Sequence, residues 1–120
     1  IVATPTGSTA YALAAGGPVL SPELRNVLLM PVAPHRSVSR GMVLPETVSV
    51  VVKAQSDHQA VLSMDGQEPL ALSESDELRL RASDLQASFV RLRDAGYFYR
   101  AIHSMLGGDC CGAPENAPFK

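Results

Sequence analysis

Ala60-Val61-Leu62-Ser63-Met64-Asp65-Gly66-Gln67-Glu68-Pro69-Leu70-Ala71-Leu72 is the stretch on which the fold turns. Two short apolar runs, 60–64 and 70–72, flank Asp65-Gly66, a turn pair suited to the positive φ angles of a tight hairpin. The same texture extends in both directions. Upstream, Thr47 to Lys53 is dominated by valine, which packs well on a pleated surface and poorly on a helix. Before it, Val27-Leu28-Leu29-Met30 is an apolar run too short for a buried helix and closed by Pro31. Downstream, Leu78 and Leu80 alternate with Arg79 and Arg81, and Val90 and Leu92 alternate with Arg91 and Arg93. Period two with arginine on one side predicts one buried and one solvated face. Several short strands divided by turn residues predict a mainly β, sandwich-like body.

Two short helices are expected beside the strands. Ala10 to Ala15 is a run of good helix formers stopped by Gly16-Gly17-Pro18, with Ser8 or Thr9 as N-cap. Near residue 97, Tyr97 to Leu106 places Phe98, Ile102 and Met105 or Leu106 on one helical face, ahead of the stop Gly107-Gly108. Residues 109–120 carry Gly, Pro and Asn without periodicity and read as a frayed tail.

Composition sets the outer bounds. At 120 residues, 46% hydrophobic and 18% charged, the chain is globular and fits a single domain. Ten basic against twelve acidic side chains leave a net charge of −2, which argues against a nucleic-acid partner. No apolar stretch approaches the roughly 20 residues of a membrane helix, so no membrane role is expected. The two cysteines, adjacent at Cys110 and Cys111, suit neither a disulfide framework nor a four-ligand zinc site, and fit a reducing cytoplasm. The chain opens without Met on Ile1-Val2-Ala3-Thr4, which reads as mid-strand. The expectation is a fragment of a longer protein, cut just before a functional loop.

That loop is Pro5-Thr6-Gly7-Ser8-Thr9-Ala10-Tyr11. A Gly-Ser-Thr turn ahead of a helix offers backbone amides, two hydroxyls and a positive helix end to a polar ligand. It lacks the Gly-Lys-Ser/Thr ending of a P-loop and the Gly-x-Ser-x-Gly spacing of a nucleophile elbow. On local chemistry alone, a plain capped turn and a ligand site both fit. Other polar residues have plainer readings. His58 belongs to a solvated loop, Asp65 serves turn geometry rather than acting as a base, and Glu74 to Glu77 forms a solvated edge. His103 with Cys110 and Cys111 offers too few ligands for a metal.

Thr4-Pro5-Thr6-Gly7-Ser8-Thr9-Ala10-Tyr11, followed by Gly16-Gly17-Pro18, resembles the second conserved motif of the NAD kinases (ATP-NAD kinases). Pro31-Val32-Ala33-Pro34-His35, then Arg40 and Val43-Leu44-Pro45, is similar to that family's next strand and loop. Met64-Asp65-Gly66-Gln67 resembles its Asp-Gly-Gln hairpin, and the resemblance runs to about Gly108. It implies that residues 1–108 are the NAD-binding β domain of a two-domain enzyme. That enzyme would phosphorylate the 2′-hydroxyl of the adenosine ribose of NAD with ATP or polyphosphate. The family's Gly-Gly-Asp-Gly motif with its catalytic Asp, and its Asn-Glu pair, do not occur in residues 1–120. They are expected upstream of Ile1, in an N-terminal α/β catalytic domain, so no catalytic residue is assigned to this chain.

Carried over by position, the resemblance implies NAD contacts from Thr6, Thr9, Ala10, Tyr11, Ala12, Leu13, Ala14 and Gln67. Tyr11 would supply a stacking face and a hydroxyl, and Gln67 an amide that both donates and accepts. Ala14 stands where the family often has serine, and Gly41 where proline commonly follows the arginine. His35 falls in a segment that, in the family, approaches the adenine site of a neighbouring subunit. The resemblance further implies a divalent cation, Mg2+, in the full enzyme with none on this domain, and homo-oligomers built through the β domain. Two alternatives remain at this level: a lipid kinase of the diacylglycerol or sphingosine kinase type, and a non-catalytic nucleotide-binding module.

Overall fold

The computed structural model describes residues 1–35, 40–90, 92–94, 96–105 and 107. They divide into two compact units, one spanning Ile1–Asp84 and a second beginning at Leu85. The first unit is mainly β. Its described residues form the strands β1 (Val2–Ala3), β2 (Asn26–Leu29), β3 (Met42–Pro45), β4 (Val50–Lys53), β5 (Ala60–Leu62), β6 (Leu70–Leu72) and β7 (Glu77–Leu80). They form three antiparallel sheets, ordered β1-β2-β3, β4-β7 and β5-β6.

β2 is the middle strand of the first sheet, and all four of its residues are half-buried or buried, so both faces are covered and Val27-Leu28-Leu29 runs apolar without alternation. Val2 pairs with Leu29, Ala3 with Leu28 and Leu28 with Val43. The pairing continues one step past β2, where the Ile1 and Met30 backbones exchange hydrogen bonds of 2.7 and 2.8 Å. Leu28 is fully buried and, with Ala12, Leu20 and Met30, forms the core, flanked by Ile1, Ala3 and Ala15. Gly41 belongs to this packing. A Cβ there would stand 2.8 Å from the Met30 sulfur and 3.3 Å from a Leu28 methyl, so a side chain at this position would require Met30 and Leu28 to shift.

The β4–β7 sheet shows the alternation that the sequence predicted. Val50, Val52, Leu78 and Leu80 share the half-buried face, in register as Val50↔Leu80 and Val52↔Leu78. On the exposed face Lys53 pairs across the strands with Glu77 at 3.2 Å, and Arg79 adds a contact to Glu77 at 3.4 Å. β4 begins at Val50 rather than Thr47, because a turn closed by the Val48 amide on the Pro45 carbonyl occupies the preceding residues. Between β4 and β7 in sequence lies the β5–β6 hairpin, whose turn has Asp65 at φ +47° and Gly66 at φ +74°. The Gln67 amide closes it on the Met64 carbonyl at 2.8 Å, the geometry that favours Asp-Gly. β5 stops at Leu62, short of Met64. Facing the single residue Ser63 are Glu68 and Pro69, and Pro69 has no amide proton for the ladder. The acidic segment between β6 and β7 is exposed, and Asp76 accepts the Ser73 amide at 2.8 Å.

In the second unit, helix α2 spans Tyr97–Met105, with Gly107 beyond it at φ +81°. Phe98 and Ile102 sit on its half-buried side, as the periodicity predicted. The Asp94 carboxylate accepts the Gly96 amide at 2.9 Å and pairs with Arg100, and the Arg93 guanidinium lies 4.2 Å from the centre of the Tyr97 ring. The Arg100 hydrogen bond holds the Asp94 carboxyl below its ordinary value. One expectation is overturned here. Val90 and Leu92 do not form a half-buried strand; they are 90% and 94% exposed, as is most of Leu85. A strand needs a ladder partner, and the described residues of this unit contain no other strand. Leu106, Gly108 and residues 109–120, including Cys110, Cys111 and the expected tail, lie outside the described residues, as does Arg91. Among the described residues no helix is long and apolar enough to cross a membrane.

Candidate functional site

β1 delivers the chain into Thr4-Pro5, and a single 3-10 turn follows over Thr6–Thr9, then helix α1 over Tyr11–Ala14. Backbone bonds from the Ser8 amide to the Pro5 carbonyl and from the Ala10 amide to the Gly7 carbonyl, both 3.1 Å, hold the turn. The helix then ends in a glycine motif. Gly16, at φ +84°, donates to the Leu13 carbonyl at 2.9 Å, and Gly17 donates to the Ala12 carbonyl at 2.8 Å. These two bonds satisfy carbonyls that a four-residue helix would otherwise leave open.

The expected capping is absent. Ala10 occupies the N-cap of α1 and makes no side-chain cap bond. Ser8 is instead fully buried, its hydroxyl donating to the Pro5 carbonyl at 2.7 Å and accepting the Leu20 amide at 3.0 Å. The Thr9 hydroxyl donates back to the Thr6 carbonyl at 3.4 Å. A short polar side chain beside a tight turn finds backbone partners on either side of it, and here burial against Leu20 outcompeted the cap. The sequence signal for a cap and for this clasp is the same, a serine at a turn before a helix. Only the position of Leu20 separates them.

Thr6, Ala10, Tyr11 and Ala14 are exposed, and Tyr11 keeps 65% of its surface open to solvent. Thr9 and Leu13 are half-buried. Ala12 points the other way and is 1% exposed in the core against Leu28. Alternate positions of one segment thus anchor it and present it. Gln67 is also exposed, on the hairpin turn of a different sheet. An aromatic face, a threonine hydroxyl and an amide side chain suit a polar, partly aromatic ligand. Asp65 fills its turn position at positive φ, as expected of a residue chosen for backbone geometry. His35 and His58 are exposed. Among the described residues, no three or more His, Cys, Asp and Glu side chains come together as a metal site.

Strands in small antiparallel sheets, with a glycine-bounded turn and helix held on the core of one of them, define a β domain that displays a polar loop. Residues 1–92 match the ATP-NAD kinase C-terminal domain, and the chain belongs to that family. It is 43% identical over 109 residues to an NAD kinase of Dehalococcoides mccartyi, covering 91% of this chain and 38% of that protein. Against the NAD kinase of Chloroflexus aurantiacus it is 45% identical over 106 residues, covering 88% and 38%. Against that of Methanosarcina acetivorans it is 40% identical over 102 residues, covering 83% and 37%. The crystal structure of yeast NADH kinase complexed with NADH shares the fold, with a TM-score of 0.59 over 96% of this chain and 36% of that one, at 24% identity. The chain thus spans under two-fifths of the length of the relatives it matches. None of these relatives favours the lipid-kinase alternative.

Proposed function

We propose that this chain is the NAD-binding domain of an NAD kinase. The Thr6–Ala14 segment, inside the family match, exposed at Thr6, Ala10, Tyr11 and Ala14 and anchored by Ala12, is the observation that carries the reading. In the whole enzyme, the ribose 2′-oxygen of NAD attacks the γ-phosphorus of ATP, the bond to the β-phosphate oxygen breaks, and ADP leaves. The hydroxyl proton passes to an aspartate of the N-terminal catalytic domain. Phosphoryl transfer of this kind depends on holding acceptor and donor in line, and holding the acceptor, NAD, is the work of residues 1–108. Tyr11 supplies stacking area, Thr6, Thr9 and Ala10 supply polar and backbone contacts, and Leu13 and Ala14 complete the wall. Gln67 adds an amide from the hairpin. Ala12 contributes by anchoring the segment. A divalent cation, Mg2+, would offset the negative charge of the donor phosphates when bound, and the residues that would hold it are assigned to the N-terminal catalytic domain. The enzyme is read as cytoplasmic and homo-oligomeric through the β domain.

The test pairs this 120-residue chain with the enzyme that includes the catalytic domain. The longer protein should convert NAD to NADP with ATP, and the chain alone should not, because the Gly-Gly-Asp-Gly motif is absent from residues 1–120. A longer protein that leaves NAD unphosphorylated defeats the reading, and so does turnover by the chain alone.

A further inference from the structure

We propose that Ser8 is a positioning residue for the NAD-contacting segment, acting through a clasp on Leu20. The argument begins with burial. Ser8 is the one polar side chain among the described residues that is fully buried, and both of its hydrogen bonds go to backbone. A hydroxyl out of water is stable only when its donor and acceptor capacities are used, and here they are. The partners matter more than the count. Pro5 is the last residue before the 3-10 turn, and Leu20 lies beyond the Gly16-Gly17-Pro18 exit of α1. The Ser8 hydroxyl therefore ties the entry of the segment to its exit, closing residues 8–20 into a loop whose outward side carries Thr9, Ala10 and Tyr11.

Leu20 is itself a core residue beside Leu28, so the clasp fastens the loop to the core on the sheet. Within the loop, α1 has a single turn and no side-chain cap, too short to hold its shape by helix energetics alone. Ligand contacts spread along such a segment need its ordering done before the ligand arrives, since otherwise each binding event repeats that loss of freedom. The inference rests on the NAD-binding reading of the segment, and it concerns a residue that touches no ligand.

Three enzymes, each containing the catalytic domain, test it: wild type, Ser8→Ala and Ser8→Thr. Ser8→Ala should raise the KM for NAD roughly tenfold, while kcat and the KM for ATP stay within about twofold. Ser8→Thr keeps the hydroxyl and should recover most of that loss. A folded Ser8→Ala enzyme with an unchanged KM for NAD overturns the proposal, as does a Ser8→Thr enzyme no better than Ser8→Ala. An equal fall in every kinetic parameter also overturns it, because that marks a general structural loss. If Ser8→Ala does not fold, wild type decides the matter: exchange of the Leu20 amide should slow when NAD binds, and unchanged exchange at saturating NAD overturns the clasp. Failure of the underlying reading looks different, as a wild-type enzyme that neither binds nor phosphorylates NAD, and the proposal falls with it.

Discussion

The Gly17 amide donates to the Ala12 carbonyl at 2.8 Å, and a Cβ on Gly17 would lie 2.7 Å from that same oxygen. The chain leaves α1 so close to its backbone that only glycine fits. Gly17→Ala must push the backbone away from the Ala12 carbonyl, losing about 2–3 kcal/mol. Gly16→Ala meets no atom within 4 Å and suffers only its positive φ, about 1 kcal/mol. Chemical denaturation of the two variants should rank them in that order, and a Gly17→Ala protein as stable as wild type refutes the close-approach account.

Tyr11 is mostly exposed, so its removal should disturb ligand binding and not folding. In the whole enzyme, Tyr11→Ala should raise the KM for NAD roughly tenfold to a hundredfold through lost stacking and a lost hydrogen bond. The KM for ATP should barely move. Tyr11→Phe, which keeps the ring, should fall between. Steady-state kinetics beside a melting curve separate the readings: a lower melting temperature with an unchanged NAD constant would make Tyr11 a packing residue.

Gln67 is held out by a turn that needs positive φ at two successive positions. Gln67→Ala should weaken NAD binding by up to about tenfold without changing stability, the loss of one good hydrogen bond. Gly66→Ala should instead strain the turn, lower stability and loosen NAD binding together. Isothermal titration with NAD, run beside thermal melts, distinguishes the two patterns. Equal affinity for Gln67→Ala and wild type would remove the hairpin from the site.

Asp94 gives α2 a dependence on pH. Its carboxyl is held below the ordinary value by the hydrogen bond from Arg100, so the folded form favours the carboxylate more than the unfolded chain does. Such a group stabilises at pH above its unfolded value, near about 4, and the contribution disappears as pH falls through the lower folded value. Acidification through that window should fray Tyr97–Ser104, read from their Cα chemical shifts. Asp94→Asn should show no such transition, and an identical acid response in that variant would place its origin elsewhere.

The strands were legible where a side chain reports its own environment. Leu78-Arg79-Leu80 alternates because one face of β7 is half-buried, and Asp65-Gly66 announces its turn through the φ angles it tolerates. β3 carried no such period, since its identity depends on β2 lying beside it. The Val90–Arg93 alternation had the right pattern without a ladder partner among the described residues. At the site, the motif from Thr4 to Tyr11 was readable as a segment, but not the inward turn of Ala12 or the clasp from Ser8 to Leu20. Both follow from which residue meets the core, and local spacing is blind to that. Gly41, a departure in the loop pattern, lies close against the Met30 and Leu28 side chains.

The pairing of Ala3 with Leu28 also bears on the order in which the molecule assembles. β5 and β6 meet across a short turn, whereas β1 and β2 must close a loop containing the entire Thr4–Gly17 segment before they gain any contact. Closure entropy makes the first event fast and the second late. Leu62→Ala should therefore slow refolding, while Leu28→Ala, losing about 2–5 kcal/mol, should act chiefly by speeding unfolding. The segment proposed to hold NAD would then be among the last parts of the chain to form and the first to open. A refolding chain holds its hairpin well before it can hold its ligand.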